Sequence, residues 1–166
     1  SGKEMVMADL NDVIANVLML YSTQLKIDGI EIETQYQPDL PAIFMDKEKI
    51  EQVLVDLISN ATAAMEKKEK KVLRIITRRN ALTEDHDSLM IVVSDTGTGI
   101  KNEDMPKIFD PFFTTRQGKG TGLGLSISYG IVTDHGGKIW AENNKRGGAS
   151  FMIELPVRTV VKNDSL

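Results

Sequence analysis

The sequence predicts an α+β fold with helices layered on one face of a sheet. Three observations carry that prediction. The elements run helix, strand, helix, two strands, a long irregular stretch, helix, two strands. Nothing marks an internal repeat or a linker between domains. The length of 166 residues suits one domain with a sizeable core. Ser1-Gly2 reads as a cloning remnant, so residues 3–166 are expected to form a single domain.

Each element has a local cause. Asp9 or Asn11 can cap a first helix, because Leu10, Val13, Ile14, Val17, Leu18, Tyr21 and Leu25 recur at three-and-four spacing to about Lys26. Asp28-Gly29 stops it. Ile30, Ile32, Thr34 and Tyr36 alternate with Glu31, Glu33 and Gln35 as in a half-buried strand, and Pro38 and Pro41 then impose a loop. Asp46 starts the clearest helix. Its apolar stripe is Ile50, Val53, Leu54, Leu57, Ile58, Ala61, Ala64 and Met65, closed by Lys67, Lys68, Lys70 and Lys71 near the negative helix end. Val72 to Arg79 and Ser88 to Ser94 read as a hairpin across an acidic turn. From Ile100 to Gly124 about 25 residues show little regular pattern, against a usual connection of about 4 to 6, which marks a lid or binding loop. Leu125 to Asp134 returns to helical spacing, His135-Gly136-Gly137 ends it, and Lys138 to Glu142 with Ala149 to Leu155 make a closing hairpin.

Composition removes several function classes. The chain is 41% hydrophobic and 27% charged, unlike disordered or fibrous proteins. With 20 Lys and Arg against 24 Asp and Glu, it lacks the positive excess that draws proteins to nucleic acid or anionic lipid. It has no cysteine, which excludes disulfides, thiolate metal sites and cysteine nucleophiles. No apolar run approaches the roughly 18 residues of a membrane span, and no signal peptide is encoded. A cytoplasmic location without membrane contact is expected of this piece, whatever anchors the longer protein.

Four stretches carry candidate chemistry, each beside a plainer reading. Asp95-Thr96-Gly97-Thr98-Gly99 is either a polar turn or a ligand site, where glycines admit a ligand to the backbone and Asp95 accepts from an N–H such as an adenine amine. Gly118, Gly120, Gly122 and Gly124 alternate just before a helix, as a linker or as a phosphate cradle at the helix start. They form neither a Walker A loop nor a dinucleotide fingerprint, and the kinase His-Arg-Asp signature is missing. Asp56 and Asn60 sit one turn apart as a solvent edge or as oxygen ligands for Mg²⁺. Phe109-Asp110-Pro111-Phe112-Phe113 either plugs the core or swings with a ligand.

Together, Asp56 to Ala61, Asp95 to Ile100, Ile108 to Thr115 and Gly120 to Ser126 resemble the N, G1, F and G2 boxes of the catalytic ATP-binding domain of two-component sensor histidine kinases. The resemblance runs from about Asp9 to Pro156 and takes in Gly148 to Phe151 and Glu154-Leu155-Pro156. It implies a Bergerat-type two-layer α/β sandwich with a mixed sheet and an ATP lid over about residues 101–123. It further implies that Asp95 receives the adenine amine, that Gly97, Gly99 and Ile100 shape the adenine pocket, and that Asn60 ligates Mg²⁺. Gly120, Thr121, Gly122, Leu123 and Gly124 would wrap the phosphates of ATP. Phe109 would belong to the lid, and Ser150 would supply the hydroxyl the family often draws from Thr. Arg116 and Lys119 are nearby cations able to neutralise the transferred phosphoryl group.

Two positions depart from the family pattern. Asp56 replaces the usual Asn, which leaves it open as a metal-side carboxylate, a general base for ATP hydrolysis or a helix-surface acid. Ala63 stands where many members carry a phosphate-binding cation. Neither His86 nor His135 sits in a phosphoacceptor helix, so transfer is expected to need a histidine-bearing dimerisation domain of the same protein, with a response regulator downstream and this piece a monomer. Three rival readings remain: a hydrolysing module built on Asp56, a nucleotide-sensing module without catalysis, and, from the single Asp-Thr-Gly at Asp95, half of an aspartic protease.

Overall fold

The computed structural model describes residues 4–83, 85–114 and 122–158. The chain forms β1 (Met5–Ala8), α1 (Leu10–Ile27), β2 (Glu31–Tyr36), β3 (Ile43–Asp46), α2 (Lys47–Ala64), β4 (Val72–Ala81), β5 (Asp87–Ser94), a short 3₁₀ turn at Met105–Lys107, α3 (Gly124–Asp134), β6 (Lys138–Asn143) and β7 (Ala149–Pro156). The main sheet has strand order β2-β4-β5-β7-β6, with β2 parallel to β4 and the other pairs antiparallel. The three helices cover one face, α1 by β2, α2 over β4 and β5, and α3 by β6.

Capping sets the helix starts. Asp9 accepts from the Asp12 N–H at 3.0 Å, and Asp46 accepts from the Lys49 N–H at 3.3 Å. The stripe of α2 lies against alternate inward residues of the sheet, among them Leu73, Ile75, Leu89, Ile91 and Val93, all buried. Leu54 and Leu57 at its centre are 1% exposed, and truncating such a side chain to Ala costs about 2–5 kcal/mol. The lysine cluster lies beyond the α2 end, and the last turn itself holds no basic residue.

One feature departs from the sequence expectation. β1 and β3 form a separate two-stranded ribbon, the first in a segment given no element from sequence and the second after the proline loop, just ahead of the helix start at Asp46. Each has four residues, too few for alternation to stand out, and their pairing joins Met5 to Asp46 across α1 and β2.

Candidate functional site

A cavity of about 610 Å³ opens where the second half of α2, the first turn of α3 and the loop after β5 meet. That volume suits a small organic ligand. Asp56, Asn60 and Ala63 line it from α2, Gly122, Gly124 and Leu125 from the start of α3, and Ile100, Ile108 and Phe151 supply apolar wall.

Asp95 stands at its base and is only 4% exposed. Its Oδ1 accepts from the N–H groups of Gly97, at 2.8 Å, and Ala149, at 3.2 Å. The described residues give Oδ2 no donor, which leaves that oxygen to the cavity. Burial pushes the carboxyl above its ordinary value, and the two N–H bonds oppose the rise. The loop around Asp95 exists because three glycines permit it. A Cβ on Gly97 would lie 2.5 Å from the Ala64 carbonyl oxygen, Gly99 has φ +74°, and a Cβ on Gly148 would collide with the Asp95 carbonyl.

Two ties hold α3 antiparallel to α2. The buried Ser128 hydroxyl donates to Asp56 Oδ2 at 3.0 Å, and that carboxylate sits against the Cα of Gly124, where any side chain would strike it. At the far end His135 Nδ1 lies 2.7 Å from the Ile131 carbonyl, and Nε2 accepts from the Asp46 N–H at 3.1 Å. A carbonyl can only accept and a backbone N–H can only donate, so the ring is neutral with its proton on Nδ1.

The stretch after the loop is anchored by aromatics. Phe109 packs 5.6 Å from Tyr129 and edge-on to Phe151 at 6.3 Å. Phe112 takes the left-handed conformation at φ 66°, rare for an aromatic, and its N–H donates to the Gly122 carbonyl at 2.9 Å.

The fold has counterparts among known proteins. The catalytic domain of the histidine kinase ThkA superposes with a TM-score of 0.80 at 34% identity, covering 92% of this chain and 95% of that one. ThkA in complex with the response regulator TrrA matches with a TM-score of 0.77 at 32% identity, over 93% of this chain and 42% of that one. Sensor protein FixL of Bradyrhizobium diazoefficiens is 39% identical over 128 residues, which is 77% of this chain and 24% of FixL. Residues 45–159 match the family model of histidine kinase-, DNA gyrase B- and HSP90-like ATPases. The chain belongs to this ATPase family, as a sensor histidine kinase catalytic domain. It spans about a quarter of the length of FixL. Among the described residues no helix is long and apolar enough to cross a membrane.

Within this kinase domain, Asp56, Asn60, Asp95, Gly99, Ile100, Gly122 and Gly124 all border the cavity. Gly97, Phe109, Leu123 and Ser150 stand behind its wall. Gly97 lets the loop approach α2, Phe109 packs against Tyr129 and Phe151, and Leu123 starts α3 with its carbonyl accepting from the Ile127 N–H. Ser150 corrects the expectation of a cavity hydroxyl. Its Oγ donates to Asn144 Oδ1 at 2.6 Å and lies 3.0 Å from the Ser94 hydroxyl on the opposite face of the sheet, because β7 alternates and Ala149 takes the cavity side. Arg116, Lys119, Gly120 and Thr121 lie outside the described residues. Asp56 is no surface acid, since it lies between α2 and α3.

Sequence reasoning passed over Ser128, Asn143 and Asn144. A helical Ser four residues past a Gly-Leu start and a turn opening on two Asn are weak signals, and neither names its partner.

Proposed function

We propose that this domain binds Mg²⁺-ATP in the cavity over Asp95 and donates the γ-phosphate to a histidine on a separate, dimeric helical domain of the same protein. The phosphohistidine then serves a response regulator, as the pairing of ThkA with TrrA suggests by likeness. The observation that carries the reading is Asp95 itself: a nearly buried carboxylate with one oxygen held by two backbone N–H groups and the other facing a cavity walled by Ile100, Ile108 and Phe151. An oxygen acceptor set in an apolar slot suits the amine of an adenine ring.

The phosphates would run toward Gly122 and Gly124, which border the cavity at the start of α3, since the N–H groups of a helix N-terminus favour an anion. The donor set fits Mg²⁺. Asn60 offers an amide oxygen at the cavity, and no group of three His, Asp or Glu among the described residues could hold a metal by protein alone. Asn60 would then hold the ion together with ATP oxygens and water. Mg²⁺ supplies charge neutralisation on the phosphates, while Arg116 and Lys119 are cations within reach along the sequence. In the transfer the bond from the γ-phosphorus to the bridging oxygen breaks, leaving ADP, and a bond forms to the histidine nitrogen. The domain's share is positioning. Asp56, engaged by Ser128, holds α3 rather than acting as a base. We place the domain in the cytoplasm, where ATP is available.

Calorimetric titration of Mg²⁺-ATP and Mg²⁺-ADP into the domain, beside Asp95→Asn and Asn60→Ala, tests the reading. The expected result is binding that Asp95→Asn abolishes and that Asn60→Ala makes insensitive to Mg²⁺. Unchanged binding in Asp95→Asn would remove the adenine assignment.

A further inference from the structure

The turn between β6 and β7 makes a set of contacts that reach past its own hairpin. Asn143 reads both backbone polar groups of one distant residue: its Oδ1 accepts from the Ile100 N–H at 2.8 Å and its Nδ2 donates to the Ile100 carbonyl at 2.7 Å. Asn144 Nδ2 donates to the Asp95 carbonyl at 3.1 Å and to Ser94 Oγ at 3.0 Å, while its Oδ1 accepts from Ser150. The two amides thereby hold the first and last residues of the segment Asp95 to Ile100. Neither Asn lines the cavity, whereas both Asp95 and Ile100 do.

We infer that Asn143 and Asn144 are positioning residues for the adenine end of the nucleotide. The inference rests on the ATP reading above. Its physical basis is that a six-residue loop with glycines at 97 and 99 has little stiffness of its own. Asp95 is fixed through its carboxylate by backbone N–H groups, but its carbonyl and the N–H and carbonyl of Ile100 are fixed from outside by the two Asn side chains. An amide is the side chain for this task because it presents a donor and an acceptor side by side, so one side chain meets both the N–H and the C=O of a single residue. Without these contacts the loop samples arrangements in which Ile100 no longer forms the wall above Asp95, and binding carries the cost of reordering it.

The test compares the chain as it stands with Asn143→Ala and Asn144→Ala, by calorimetry with ATP, ADP and adenosine and by amide exchange at Ile100. Asn143 is exposed at the hairpin, so its truncation leaves the core untouched. Each variant is expected to weaken all three ligands by the same factor, roughly tenfold for the two lost bonds of Asn143, with the melting transition retained. The Ile100 amide should exchange faster in Asn143→Ala. In phosphotransfer to a histidine domain, KM for ATP rises while kcat at saturation stays within about twofold. Equal affinities in chain and variants would overturn the inference while leaving the ATP reading intact, as would weakening confined to ATP and ADP but not adenosine. Failure of the unaltered chain to bind any of the three would overturn the ATP reading and this inference with it.

Discussion

The hydroxyl of Ser128 donates to Oδ2 of Asp56 across 3.0 Å, joining the middle of α2 to the first half of α3 where both helices border the nucleotide cavity. Ser128 is 1% exposed, so the bond has no water to replace it. Asp56→Asn keeps an oxygen for Ser128 and is expected to hold phosphate release and phosphotransfer within about threefold. Asp56→Ala strands the hydroxyl and should destabilise by about 1–3 kcal/mol in urea melts. A hundredfold loss of ATP hydrolysis in Asp56→Asn would instead restore Asp56 as a general base.

Asp95 sets stability against binding. Its folded pKa is raised by burial from an ordinary value of 3.8, so the unfolded chain ionises first as pH increases. Its contribution to stability is therefore highest below the ordinary carboxylate range and declines as pH climbs through the raised value. Asp95→Asn removes that penalty and should melt at the same or a higher temperature at pH 7, yet show no heat with ATP. In the unaltered chain ATP affinity should begin to fall on acidification at a pH above the ordinary carboxylate range, as Oδ2 takes up a proton and stops accepting. A melting temperature that drops by several degrees in Asp95→Asn would count against the assigned penalty.

Two glycines of α3 should respond in opposite directions. A Cβ on Gly130 meets nothing within 4 Å, so Gly130→Ala gains helix propensity and should stabilise by about 0.5–1 kcal/mol. On Gly124 the same methyl drives into the Asp56 carboxylate, so Gly124→Ala should destabilise and weaken ATP binding together. Thermal melts of the two variants side by side decide it, and a stabilised Gly124→Ala would mean that Asp56 yields freely.

His135 closes the other end of the helix pair. Replacing it with Leu leaves the Asp46 N–H and the Ile131 carbonyl without their ring partners, and a loss of about 1–3 kcal/mol is expected by chemical denaturation. No loss would show that water or a backbone shift satisfies both groups.

Most of the fold was legible where local signals agreed. Asp9 and Asp46 cap the helices they were expected to start, and β4 and β5 pair as the antiparallel hairpin expected of them. The four-residue strands β1 and β3 were not, because their pairing is a tertiary fact with no periodic trace. Among site residues, Asp95 was legible from its glycine-flanked position after an apolar strand. Ser150 misled because one step of register along β7 turns a side chain to the other face. Asn143 was invisible for a different reason: its partners are the backbone N–H and C=O of a residue 43 positions away, and backbone groups look alike in every sequence.

The β1–β3 ribbon also fixes how the molecule would answer to tension. Met5 stands opposite Asp46, the residue that caps α2 and holds His135 through its N–H. Through the antiparallel ribbon the backbone ahead of α1 is clamped to the backbone that opens α2. A pull on Met5 therefore reaches the root of the helix bearing Asn60 without passing through the five-stranded sheet.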